Sequence, residues 1–311
     1  MDTPASVKEA GQAAATTYRV YRRRWAMVAT VMLLNVSNSG LGFNLAAVAY
    51  KAADYFEVTP QQITWFMQVY FLVPIVFAPI STFIFNKFGL RAGIHVGSAL
   101  NCVAAVTRAL ATSGLVSDPF VQYAVSLSGQ VAGGMGELFL AFVSTKVAQN
   151  WFPDDSRMIA TTIMAFSPSF GISVAQVMAP LVVKKQQQIP TLNYAYCGLT
   201  LLAELVALVC VTRWVTRQSK CHAQSKPPTP PSRSAEQGNT ARAPYLQQLK
   251  KTFTCLPFLG LLLTGGILAA IFLCFTTLSQ QMLCSTGYSD VRICAFTPHK
   301  KILMSVLIIA R

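Results

Sequence analysis

Long apolar stretches separated by short polar ones dominate the chain. No Lys, Arg, Asp or Glu falls within residues 25–50, 59–86, 158–183 or 252–289. Three further apolar runs each admit one Lys, Arg, Asp or Glu: 92–117 holds Arg108, 119–145 holds Glu137, and 186–212 holds Glu204. About 20 residues of α-helix cross a bilayer core about 30 Å thick, so all seven runs are long enough to span. Lipid offers the backbone no hydrogen-bonding partner, and a helix satisfies its amides and carbonyls within the segment. The strands of a transmembrane barrel need only about 10 residues, far fewer than these runs contain. The pattern therefore predicts an all-α polytopic membrane protein with seven transmembrane helices. A last apolar run, 302–310, is too short to cross.

The polar stretches divide the chain. The longest, 213–251, carries Pro227, Pro228, Pro230 and Pro231 among serines and basic residues. Such composition cannot bury a core and reads as a flexible cytoplasmic linker. Five segments result: an N-terminal segment 1–24, a six-helix block 25–212, the linker 213–251, a seventh helix 252–280 and a tail 281–311. A six-helix block, a long basic loop and a new helix together match the layout of two-halved secondary transporters. Arg22, Arg23 and Arg24 also resemble the n-region of a cleaved signal peptide, but the run behind them is too long for an h-region. A retained first helix is expected.

Composition sharpens this picture. Only 12% of residues are charged and mean hydropathy is +0.46, whereas soluble domains carry about a quarter charged residues. The net charge of +14 raises nucleic-acid binding as a possibility. Placement excludes it, because the basic residues lie between apolar runs and form no domain of their own. They set orientation instead. With the N-terminus in the cytoplasm, most of the 25 Lys and Arg fall inside, in the N-terminal cluster, Lys87, Arg91, Lys146, Arg157 and the linker. Lys51, Lys184, Lys185 and the tail remain outside. The plasma membrane is the expected location. The cysteines form no CxxC pair and the three histidines show no metal-ligand spacing, so neither metal nor cofactor is expected. Cys284 and Cys294 can pair only where both face an oxidising compartment. GxxxxGK[ST], HExxH and GxSxG are all missing from the sequence, and no enzyme activity is expected.

Polar residues within the spans carry the candidate chemistry, since ionisable groups at membrane depth are costly and face a cavity or a partner. Glu137 lies near the middle of the fourth span, downstream of Gln130 in a glycine-rich stretch whose small residues let helices approach closely. It reads either as a ligand for a cationic solute or proton-coupling group, or as a structural partner for Arg108. Arg108, late in its own span, can instead snorkel to the outer interface. Glu204, central in the sixth span among aliphatic neighbours, ranks below Glu137. Asn35, Ser37, Asn38, Ser39 and Asn44 crowd the first span, which lipid would reject, so this helix should line the interior. Trp65, Gln68 and Tyr70 in the second span are either cavity-lining groups or interface anchors. Pro168 and Pro180 bracket Phe170 and Gly171 in the fifth span, where a proline allows a kink for gating, or where packing alone explains the pattern.

The loop after the second span, Phe85-Asn86-Lys87-Phe88-Gly89-Leu90-Arg91, resembles the signature of the major facilitator superfamily, with Asn86 in place of the usual acidic residue. Trp151-Phe152-Pro153 with Arg157 and Ala160 also resembles that superfamily. Asn86, Lys87, Gly89, Arg91 and Arg157 thereby become candidates for its gating loops. Arg23-Arg24-Trp25, Leu34-Asn35-Val36-Ser37-Asn38, Gly89-Leu90-Arg91-Ala92 and Pro180-Leu181-Val182-Val183-Lys184-Lys185 are similar to solute carrier family 49. This resemblance implies a major facilitator-type fold, a lipid-embedded chain and movement of a small organic solute, haem or choline among family members. In choline-type members a first-helix tryptophan and a fourth-helix glutamine form the cation site, and those positions fall on Gly42 and Glu137 here. After about Asp290 the family pattern is lost, so a C-terminally truncated form is expected. Two alternatives follow: a non-transporting fragment that associates with itself or with a complete transporter, and a seven-helix receptor.

Overall fold

The computed structural model describes residue 22 and residues 24–212 and 253–284. The N-terminal segment, apart from residues 22 and 24, the linker 213–251, most of the tail and any Cys284–Cys294 pairing lie outside the described residues.

Helix α1 covers Arg24–Phe43. The first span does not run on as one helix. After Phe43 it turns, passes through a 3-10 turn at Ala46–Val48, and restarts as α2, Ala49–Phe56. Apolar patterning alone had predicted an unbroken span over 25–50, whereas the membrane-length segment is interrupted and extends over Arg24–Phe56. Pro60–Ala111 forms α3, which supplies the second and third spans. Its start is set by a capping box. Gln62 N donates to Thr59 Oγ1 at 3.4 Å, Thr59 N donates to Gln62 Oε1 at 2.8 Å, and Pro60 occupies the first turn. Its two spans separate at Gly89, whose φ of 79° and ψ of −177° lie in a region essentially reserved for glycine.

Helix α4, Pro119–Trp151, begins where Phe120 N donates to Asp118 Oδ1 at 2.9 Å. Helix α5 is Asp154–Val182, and α6 is Ile189–Ala207 with a terminal π turn at Leu208–Thr212. Pro168 and Pro180 both lie inside a continuous α5. Six helical segments among the described residues are long and apolar enough to cross a membrane. The seventh run forms α7, Leu256–Cys284, which touches the bundle at the Ala46–Val48 turn.

The bundle has two apolar clusters. One contains Phe43, Phe56, Phe66, Tyr70 and Tyr196, and the other Met27, Leu34, Phe139, Leu140 and Phe152. Helix α1 runs through both, packed against α4, α5 and α6, and α3 packs along α4. Between the clusters lie buried Asn35, Ser37, Asn38, Asn101 and Ser144. Polar groups buried in an apolar bundle must find one another, and this layer positions the site.

Candidate functional site

The interruption of α1 frees backbone carbonyls that side chains from other helices then satisfy. Arg108 Nη1 on α3 donates to the Leu41 carbonyl and, at 3.2 Å, to Gln130 Oε1. Its Nη2 donates to Asn44 Oδ1 at 2.8 Å and Asn193 Oδ1 at 3.2 Å. Gln130 Nε2 on α4 in turn donates to the Gly42 carbonyl at 3.1 Å. The guanidinium also lies 5.6 Å from the Phe66 ring centroid, a cation–π distance. Arg108 is 1% exposed, so it does not snorkel to an interface. It makes no ion pair with Glu137 either; both expectations are corrected, because four neutral oxygens of the broken helix and its neighbours already surround it. Gln130 and Asn44, singled out as solute candidates, belong to this structural hub.

Glu137 lies seven residues beyond Gln130, about 10 Å further along α4. Its Oε2 is 2.9 Å from the Tyr70 hydroxyl, which also contacts Asn38 Oδ1 on α1. Asn38 Nδ2 donates to Asn101 Oδ1 and to the Gly133 carbonyl, each at 3.1 Å. Asn101 Nδ2 donates to Ser37 Oγ at 3.1 Å, and Ser37 donates to the Leu34 carbonyl at 2.9 Å. Three of the predicted residues, Glu137, Tyr70 and Asn38, are thus brought together, each from a different helix. Glu137 is only half-buried, and its Oε1 has no hydrogen bond among the described residues and is not a buried orphan. That oxygen is not fully sealed from solvent.

Close packing holds Tyr70 in place. A Cβ on Gly42 would sit 2.8 Å from its ring, and one on Gly134 would sit 3.1 Å from its backbone oxygen. Phe43 and Tyr70 meet edge to face at 5.6 Å, and Tyr70 and Phe71 at 5.7 Å. An aromatic cluster therefore stands beside the carboxyl.

Other candidates lie apart. Asn35 Nδ2 donates to Ser144 Oγ at 3.1 Å while its Oδ1 is buried without a partner. Gln68 is exposed on α3 and takes no part in the network. Glu204 leaves Oε2 buried and unpartnered, as His95 leaves Nδ1. Of the loop residues, Lys87 lies 5.6 Å from the Phe83 ring and 5.4 Å from the Phe88 ring. Arg91 is exposed, Gly89 breaks α3, and the Asn86 backbone continues the helix just before that break. Arg157 Nη2 donates to the Phe152 carbonyl at 3.2 Å, tying the start of α5 to the end of α4. Asn101 and Asn193 escaped sequence reasoning because each is a lone asparagine in a long apolar run. Their only signal was a polar residue spaced to face the interior.

Six membrane-length helices around a buried polar layer define a polytopic helical membrane protein. The Major Facilitator Superfamily profile matches residues 28–307, a range that includes most of the 281–311 tail. The chain belongs to the major facilitator superfamily, and it is similar to members of solute carrier family 49. It is 30% identical to solute carrier family 49 member A3 of Danio rerio over 89% of this chain and 56% of that protein. The same member in Xenopus tropicalis is 26% identical over 88% of this chain and 55% of its own length. The choline/ethanolamine transporter FLVCR2 of Homo sapiens is 26% identical, over 85% of this chain and 49% of that protein. The chain thus spans about half the length of these relatives. A crystal structure of a D-xylose-proton symporter shares the fold at a TM-score of 0.59 and 14% identity, covering 91% of this chain and 66% of that one. The protein is a multi-pass membrane protein, and family membership sets the receptor alternative aside.

Proposed function

We propose that this chain supplies the solute-binding first half of a transporter for a small organic cation, with Glu137 as the residue that meets the solute. One observation carries the reading. Glu137 keeps one carboxyl oxygen free of hydrogen bonds among the described residues and not fully buried, while the other meets the Tyr70 hydroxyl beside Asn38 of α1. A carboxylate beside aromatic faces suits an organic ammonium ion, which both attract. The human relative is named for choline and ethanolamine, an ammonium ion and an amine that is cationic at neutral pH, and this supports the solute class. Resemblance places a cation-site tryptophan at Gly42, where the Tyr70 ring fills the space a side chain would need.

Solute movement by alternating access uses two repeats rocking against each other. The exposed apolar side chains Ile75, Val76 and Phe83 on α3 fit a docking face for such a second half, or for a second copy. The proposed topology places the N-terminus and the 213–251 linker in the cytoplasm and the chain in the plasma membrane, with α7 opening the second half.

Uptake of labelled choline, ethanolamine and a panel of related amines by cells expressing this chain as part of the two-halved transporter tests this proposal. Saturable uptake that falls at least tenfold in Glu137→Gln at equal surface expression is expected. Uptake indistinguishable from untransfected cells for every amine, or uptake that Glu137→Gln leaves intact, refutes it.

A further inference from the structure

The hydrogen-bonded chain that ends at Glu137 counts its own protons. Asn38 Nδ2 faces the Gly133 backbone carbonyl, which is an acceptor only, so the nitrogen of that amide is identified and Asn38 Oδ1 must be the atom facing Tyr70. Oδ1 cannot donate. The Tyr70 hydroxyl has a single hydrogen, and the contact with Asn38 takes it. The Tyr70 oxygen can therefore only accept from Glu137 Oε2, 2.9 Å away. We propose that Glu137 is a proton-binding site: it holds a proton on Oε2 and donates it to Tyr70, and release of that proton breaks the Tyr70–Asn38 link between α3 and α1.

Every bond in the chain then runs one way. Glu137 donates to Tyr70, Tyr70 to Asn38, Asn38 to Asn101, Asn101 to Ser37 and Ser37 to the Leu34 carbonyl. Each donor has an acceptor and the series ends on backbone. Bonds aligned in this way polarise and strengthen one another. When Glu137 gives its proton to water, the carboxylate takes the Tyr70 hydrogen for itself. Asn38 Oδ1 then faces a bare hydroxyl oxygen, and Asn38 cannot flip without losing both Gly133 and Asn101. The contact has to open, and α1 is the helix that already carries an interruption.

No other charge on the surrounding elements takes over this role. Arg108 on α3 is occupied by its four oxygens. His95 and Cys102 on α3, and Tyr196 and Glu204 on α6, make no hydrogen bond to Glu137 among the described residues. Helix α1 has no ionisable residue after Arg24, and α5 has none after Arg157. Resting on the proposed function, this site makes the solute cation and the proton competitors for one carboxyl.

Infrared difference spectroscopy on the purified protein in lipid vesicles tests the protonation without any transported solute. At neutral pH a protonated-carboxyl carbonyl stretch is expected, lost in Glu137→Gln, shifted in Tyr70→Phe and retained in Glu204→Gln. Glutamine can still donate to Tyr70, so Glu137→Gln should fold. A band that survives Glu137→Gln, or that disappears only in Glu204→Gln, overturns the proposal, as does the lack of any protonated-carboxyl band at neutral pH. Either failure leaves the uptake result standing, and a silent uptake assay leaves the band standing, so the two ideas fail separately.

Discussion

At position 108 the interior of a membrane protein holds a guanidinium with no carboxylate hydrogen-bonded to it among the described residues. Its cost is offset by two fixed backbone and amide pairs per terminal nitrogen and by the Phe66 ring. Lysine would keep the charge but offers three donors without the planar fork, against four acceptors. A buried acceptor left unpaired costs about 1–3 kcal/mol. Arg108→Lys should therefore destabilise the detergent-solubilised protein by about 1–3 kcal/mol, read as a lower thermal midpoint, and an unchanged midpoint would show the hub to be dispensable. Two glycines give a second contrast at this scale. A Cβ on Gly171 would sit 2.7 Å from the Val36 carbonyl oxygen, against rigid backbone, while Gly198 has nothing within 4 Å. Gly171→Ala should destabilise by about 1–3 kcal/mol through overpacking, and Gly198→Ala should cost nothing in the same melting assay. The close approach of α1 to α5 is what this glycine serves.

Among the elements, α3 is the one whose continuity is most exposed to a single change. Its two membrane spans are joined through Gly89, with no neighbour for a Cβ to strike and yet a backbone geometry that costs other residues of order 1–3 kcal/mol. Gly89→Ala should lower the melting midpoint through backbone strain alone, and should raise proteolytic cutting around residues 86–91. Equal cutting of both forms would count against strain at that turn. The loop was legible from its Asn86-Lys87-Phe88-Gly89 pattern. The interruption of α1 was not, because residues 43–48 are as apolar as the helix on either side and contain no proline. What breaks the helix there is the offer of better partners from Arg108 and Gln130, and those arrive only when α3 and α4 pack against it.

At the scale of the molecule, the basic residues predict the side of the membrane on which each loop lies. Leu115, 77% exposed between α3 and α4, and Met158, 78% exposed near the start of α5, are equally open to reagent and differ only in side. With the N-terminus cytoplasmic, Leu115→Cys should gain labelling by an impermeant maleimide in intact cells, and Met158→Cys should gain it only after permeabilisation. The reverse pattern would invert the topology.

The sequence by itself determined the spans, the all-α class, the family and Glu137 as a residue of interest, because lipid imposes length and apolarity on every crossing segment regardless of its neighbours. It also pointed to a polar first helix that must face inward. Only the tertiary structure decided the pairing. Gln130 and Arg108 went to the carbonyls of a broken helix, Glu137 went to Tyr70 and Asn38, and Gln68 was left outside. Those assignments depend on which faces of α1, α3 and α4 meet, and hydrogen bonds are satisfied by proximity in space, which helical periodicity constrains within one segment and not between segments.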